Sequence, residues 1–262
     1  MLKEEIKFQS SSIFEGMTSI RAVIAAIDKG ASDRQIKKIV FDKSKLHKIS
    51  KEIGYFKAVS SKYGFSIEES TKEELDSITL GTAHGGIVAY TGERTIKKLE
   101  PSFIQNKRFF ALIQGIEDPY NFGYSLRSLY ACGCEGIILP MRNWMSAAGV
   151  VARSSAGASE LIDTYISEPE EAIEIFKSAG YTTVCADERT ENTLGNTTLP
   201  YPIFLIIGGE RRGISRSVLD AADIRVKINY ARDFRASLSA ASATSMFAYE
   251  ILRQNPDLLA LD

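Results

Sequence analysis

The sequence predicts a two-domain α/β protein, a small layered domain followed by a larger one built on a mostly parallel sheet. Three observations predict it. Strand-like apolar runs alternate with segments of helical periodicity along the chain. The later strand candidates, Phe109–Ile113 and Ile203–Ile207, are apolar at every position, as strands covered on both faces are. Between the two series lies a polar, aperiodic stretch over 91–106 that contains Pro101 and reads as a linker. The domains are therefore expected at 1–95 and 107–262, with 96–106 joining them. A length of 262 residues and a hydrophobic content of 44% let each domain bury its own core and exclude a disordered chain.

In the first domain, Ile20–Ile27 reads as a helix ended by Lys29-Gly30, and Lys38–Phe41 as a short strand. Leu46, Ile49, Ile53, Phe56 and Val59 fall near helical spacing within 45–62, with Tyr63-Gly64 as the stop. Phe65–Ile67 reads as a strand, Lys72–Ile78 as a helix and Gly86–Tyr90 as a last strand. In the second domain, the Phe109 strand leads through an irregular turn, Gly115–Gly123, into a helix over Tyr124–Ala131 and a strand at Gly136–Leu139. Further strands are expected at Leu161–Ile166, Thr182–Ala186, Ile203–Ile207 and Ile224–Ile228. Helices are expected at Pro169–Ala179 and Leu238–Arg253.

Several function classes drop out. No apolar run approaches the roughly 18 residues that span a membrane. Met1–Glu5 lacks an apolar signal core, so secretion is not expected either. Cys132, Cys134 and Cys185 make no disulfide framework and fit a reducing cytoplasm. The Cys132-x-Cys134 spacing is unlike a zinc hook, and buried small residues are the better reading. Only His47 and His84 are present, so no metal centre is expected, and His47 has no assigned role. Dinucleotide G-x-G-x-x-G, P-loop and Gly-x-Ser-x-Gly signatures are all absent.

The net charge of −1 conceals an asymmetry, +3 over residues 1–100 and −4 over 101–262. Arg34, Lys37, Lys38, Lys43, Lys45, Lys48, Lys51, Lys57 and Lys62 face only Asp42 and Glu52 in their stretch. Such a run either binds RNA phosphates through counterion release or is simply a solvated helix face.

Three segments place polar residues at strand ends. Gln114–Ser128 follows the Phe109 strand; there Asn121 reads as a helix cap and Arg127 as a surface cation, or both reach one strand-end cavity. In Ile206–Ser215 a strand runs into Gly208-Gly209, which permit close backbone approach, then Glu210, a helix cap or a site carboxylate. Ile228-Asn229-Tyr230 leads to Ala236–Ala243, a Ser/Ala run that opens a helix with a narrow face.

In order and spacing these three segments resemble the signature motifs of the SpoU (TrmH-like) RNA ribose methyltransferase family, within the SPOUT superfamily. Residues 109–139 resemble the first motif, with D-P-x-N-x-G and an Arg six residues after the Asn. Residues 203–213 resemble the second, G-x-E-x-x-G after an apolar strand, and 224–253 the third, with its Ser-Leu helix entry. Arg153–Ala158 resembles the small-residue segment between the first two motifs. Gly16 and Ala83–Ala89 resemble parts of the family's appended RNA-binding domain.

The resemblance implies a C-terminal α/β domain closed by a deep trefoil knot, a rare exception to unknotted connections. It implies transfer of a methyl group from S-adenosylmethionine to a ribose 2′-hydroxyl of ribosomal or transfer RNA, by a cytoplasmic homodimer whose active site is completed across the two copies. Gly208, Gly209, Ile228 and Leu238 would bind the cofactor. Arg127 would be the central catalytic residue, with Asn121, Glu210, Ser237 and Ser239 around it. Two other readings stay open: an RNA- and cofactor-binding homologue with lost or altered transfer, and a base-methylating relative. The chain departs from the family pattern at Ser239, where Asn is usual, at Asn229, where Pro is usual, and at Ala222, where Cys is usual.

Overall fold

A computed structural model describes residues 13–79, 84–140, 147–209, 213–234 and 236–257. It divides into two compact units. The first comprises the described residues of Met1–Thr95 together with those of Asn143–Leu161, and the second those of Ile96–Arg142 and Ile162–Asp262. The assignment of 107–262 to one unbroken domain is therefore corrected. Residues within 143–161 pack with the first unit, which the local sequence could not reveal.

The first unit holds a four-stranded sheet in the order β1-β4-β2-β3. Its strands are β1 (Ile13–Glu15), β2 (Ile36–Asp42), β3 (Ser66–Ser70) and β4 (Ile87–Thr91). β4 lies antiparallel to β1 and β2, while β3 runs parallel to β2. The helices are α1 (Gly16–Asp28), α2 (Ser50–Tyr63) and α3 (Lys72–Ile78). Gly64 closes α2 in the left-handed conformation, and a Thr71–Glu74 capping box opens α3. Phe14, Ile20, Val23, Ile39, Phe41 and Phe56 form its core.

Two short helices of the returning segment, α5 (Ala148–Ser154) and α6 (Ala158–Leu161), pack on β1 and α1. Their attachment is ionic as well as apolar. Arg34 Nε donates to Glu160 Oε2 (2.9 Å) with both side chains buried, and its guanidinium stacks over Phe14. Arg153 pairs with buried Glu15 (2.8 Å), and Arg94 donates to the Ser159 carbonyl (3.0 Å). Arg34 is thus removed from the basic surface run, because its charge is consumed inside the unit. Lys38 and Lys62 pair with Glu68 and Asp28. Lys37, Lys43, Lys48, Lys51 and Lys57 remain exposed, with Lys45 half-buried.

The second unit is built on seven parallel strands in the order β11-β9-β10-β6-β7-β8-β5. They are β5 (Lys97–Lys98), β6 (Phe109–Gln114), β7 (Gly136–Leu139), β8 (Asp163–Ile166), β9 (Thr182–Ala186), β10 (Ile203–Gly208) and β11 (Ile224–Val226). Phe110, Leu112, Phe204 and Ile206 pack under α7 (Pro169–Ser178) and α8 (Arg216–Ala221), with Phe176 stacked on Phe204 at 3.9 Å. α4 (Pro119–Ala131) and α9 (Ala240–Gln254) pack on one another, with the Ser128 and Ser245 hydroxyls 2.6 Å apart.

Two local readings change. The stretch read as a linker is part of the second unit: β5 extends the sheet edge, and Leu99 and Ile104 are buried in its core. A two-residue edge strand is too short to show periodicity, and its lysines suit an edge. The helix expected from Tyr124 instead begins at Pro119, because Asp118 is the N-cap, accepting from the Tyr120 N–H (3.1 Å), and Pro119 takes the first helical position. Cys134 is buried as expected and Cys185 is buried in β9, whereas Cys132 is half-buried. Burial pushes the Cys185 thiol up to about 12, so it is no nucleophile at neutral pH.

Removing Arg34 leaves Glu160 charged and buried without its partner. Arg34→Ala is expected to destabilise the protein by about 3–5 kcal/mol in urea denaturation. The Arg34→Met/Glu160→Met pair should lose clearly less, because neither charge is then stranded.

Candidate active site

At the carboxyl ends of β9, β10 and β11 the second unit opens into a cavity of about 590 Å³. Ligands of open α/β sheets bind beyond this edge. The floor is the end of β10 and the residue after it, Ile207-Gly208-Gly209, together with Gly213 and Ile214. One wall is Ala186–Arg189, leaving β9. A second wall comes from the connection after β11, which supplies Lys227, Ile228, Asn229, Tyr230, Ser237 and Leu238. Ala240, Ala243 and Phe247 of α9 close the back. The alanines leave the space that larger side chains would fill.

The floor depends on backbone approaching backbone. β6 and β10 run side by side with Gln114 opposite Gly208, and the Gly209 N–H donates to the Gln114 carbonyl (2.6 Å). A Cβ on Gly209 would stand 1.9 Å from the Gly115 carbonyl oxygen, and one on Gly208 2.6 Å from the Gly213 carbonyl carbon. Neither position can carry a side chain without moving a main chain. The wall is tied similarly: the Asp187 N–H donates to the Val226 carbonyl (3.0 Å), the Lys227 N–H to the Asn192 carbonyl (2.9 Å) and the Leu238 N–H to the Tyr230 hydroxyl (3.2 Å).

The structure brings together Gly208, Gly209, Ile228, Leu238 and Ser237 of the residues expected from sequence. Glu210 lies outside the described residues. Ser239 is absent from the cavity lining; it is the N-cap of α9, where its hydroxyl accepts from the Ser242 N–H (3.2 Å). Arg127 and Asn121 are likewise not in the lining. Both lie within α4, so Asn121 is not its cap, and six residues of helix set them about 120° apart around the axis. Arg127 is exposed and Asn121 half-buried. The 186–189 wall was missed in the sequence, since only the strand order puts the end of β9 beside β10.

The family model for the SpoU rRNA methylase family matches residues 108–249, over half of the chain and reaching into all three motif segments. The chain belongs to the SpoU rRNA methylase family. Similar sequences include YacO of Bacillus subtilis (strain 168), assigned to the TrmH family of tRNA/rRNA methyltransferases. It is 28% identical over 205 residues, covering 76% of this chain and 82% of YacO. A Staphylococcus haemolyticus protein assigned to the same family is 27% identical, covering 72% and 77%. Among solved structures, an RNA 2′-O ribose methyltransferase superposes with a TM-score of 0.77 at 20% identity, covering 93% of this chain and 88% of that one. An AdoMet-bound rRNA methyltransferase from Sinorhizobium meliloti gives 0.75 at 20% identity, covering 97% and 95%. These likenesses establish the fold, and the α/β architecture of the SpoU family is the one seen here.

In this SpoU-family chain, Gly209→Ala is expected to cost at least about 2 kcal/mol in denaturant unfolding, since the main chain rather than a side chain must yield. Calorimetry should show S-adenosylmethionine binding weakened along with it, because the same displacement tilts the cavity floor.

Proposed function

We propose that the protein transfers a methyl group from S-adenosylmethionine to a ribose 2′-hydroxyl of ribosomal or transfer RNA in the cytoplasm. The observation that carries this reading is the cavity at the carboxyl ends of β9–β11, floored by glycine backbone and walled by the family's third motif. Its size lies within the range of small-ligand sites. Its lining alternates apolar side chains (Ile207, Val226, Ile228, Leu238, Phe247) with open main chain at Gly208 and Gly213, which suits a purine and a polar amino-acid tail. Gly208, Gly209, Ile228 and Leu238 would hold the cofactor. When bound, it supplies a methyl group already activated on a sulfonium.

What remains for the protein is to align the acceptor hydroxyl and to manage its charge. A guanidinium offers a fork of N–H donors, so Arg127 is assigned to stabilise the developing alkoxide while the hydroxyl proton passes to water. Ser237, at the cavity, orients the ribose. Asn121 and Glu210 are assigned supporting roles around Arg127 and the cofactor, and Ser239 serves the site through the start of α9. Because Arg127 lies outside the cavity lining of its own chain, we assign it to the cavity of a second copy. A homodimer is supported by the exposed face of α4 and α9, where Tyr120, Tyr124, Met246 and Tyr249 are 46, 48, 46 and 62% exposed. The knotted threading implied by the family is part of the same reading, since α9 returns from the sheet-edge strand β11 to pack on α4.

Arg127→Ala is expected to lower methyl transfer to unmodified RNA by 100-fold or more, with S-adenosylmethionine affinity unchanged by calorimetry. Unchanged turnover would remove Arg127 from the mechanism. Methylation resistant to alkaline hydrolysis at the modified linkage identifies the ribose product, whereas a modified base in a cleavable linkage points to base methylation. A second reading, binding without transfer, is favoured by Ser239, whose hydroxyl is engaged in capping; cofactor and RNA binding with no transfer by the wild-type protein would establish it.

The exposed lysines of the first unit are assigned to RNA phosphate. Lys48→Glu/Lys51→Glu is expected to weaken RNA binding and flatten its dependence on log salt by about one unit per lysine lost, read by filter binding across a salt series.

A further inference from the structure

The cavity rim carries two aromatic rings that the fold leaves in solvent. Tyr230 is 41% and Phe234 56% exposed, and their centroids lie 5.9 Å apart at an interplanar angle of 61°. Tyr230 lines the cavity, and its hydroxyl is engaged by the Leu238 N–H, which holds that ring at the rim. Phe234 stands outside the lining, braced by Tyr230 in an edge-to-face contact. A phenylalanine presented this way adds nothing to the core of the unit. It offers an apolar face beside the place where methyl transfer is proposed.

We infer that Phe234, steadied by Tyr230, is a stacking platform for the nucleobase of the RNA nucleotide to be methylated. This rests on the proposed ribose methylation. In a nucleotide the base is bonded to C1′, the carbon next to the one that bears the 2′-hydroxyl. A ribose delivered to the cavity therefore brings its base to the rim. Recognition of unpaired RNA relies on stacking of bases on aromatic side chains, and every base has a face to offer. The contact selects an unstacked nucleotide over a paired one, and it carries no charge. Phe234 is thus a specificity-determining residue that acts on RNA and leaves the cofactor alone.

The test uses the full chain with an unmodified pool of transcribed tRNA and rRNA as methyl acceptor. Phe234→Ala is expected to raise the KM for RNA about tenfold or more, with S-adenosylmethionine affinity and the salt dependence of RNA binding unchanged. Phe234→Trp should keep the wild-type KM. Its fluorescence, read as the difference from the wild-type signal of the chain's one Trp, should be quenched by a single-stranded oligoribonucleotide but not by the same sequence as a duplex. A KM unchanged within twofold in Phe234→Ala, or quenching by S-adenosylmethionine alone, overturns the inference. If the wild-type protein transfers no methyl group, the proposed activity fails, and the quenching titration still decides whether the ring stacks on RNA bases.

Discussion

The approach of two backbones without side chains between them is the constraint on which the rest of the second unit depends. At the ends of β6 and β10, Gly115 and Gly209 pack so closely that a single added methyl would overlap a carbonyl oxygen. The contact fixes where β10 stops, and Gly208 lies as closely against the main chain of Gly213. A cavity floored by main chain presents N–H and C=O groups whose directions are set by the sheet. Such groups cannot swing away as long side chains do, so the floor is organised before any ligand arrives.

The walls obey a different rule. They are loops held by backbone hydrogen bonds to the sheet edge, as in the Asp187–Val226 and Lys227–Asn192 pairs. Asn229 lies in one wall, and Ser239 stands outside the lining at the start of α9. Ser239 keeps the helix start intact, because serine and asparagine are comparable caps. Ser239 therefore serves the scaffold of the site, by holding the start of α9, and not its lining.

Charge is distributed on the same principle of local use. Arg34 and Glu160 neutralise one another inside the first unit, and Arg153 and Glu15 do so at its margin. The lysines around the start of α2 have no such buried use and stay in solvent. A sum over the chain mixes these two populations, which is why a net charge of −1 says little about RNA.

The apolar strands, the Gly-x-Glu-x-x-Gly motif and the Ser-Leu helix entry made the sheet, the family and several of the residues that line the cavity legible in the sequence. These signals are local, because continuous apolar runs and paired glycines can satisfy few other structures. The start of α4 was misread, because the Gly and Asn after Asp118-Pro119 look like turn residues and the helix was expected only from Tyr124. Strand order, the burial of Arg34, the transfer of residues in 143–161 to the first unit and the absence of Arg127 from the cavity lining were decided only in three dimensions. Each depends on which distant segment lies alongside, and no residue records its neighbours across the fold. The sequence by itself determined the materials of the site, main chain where glycine is required and hydroxyls where helices begin. The tertiary structure decided which of them face one cavity, because packing of the helices against the sheet selects one face of every element.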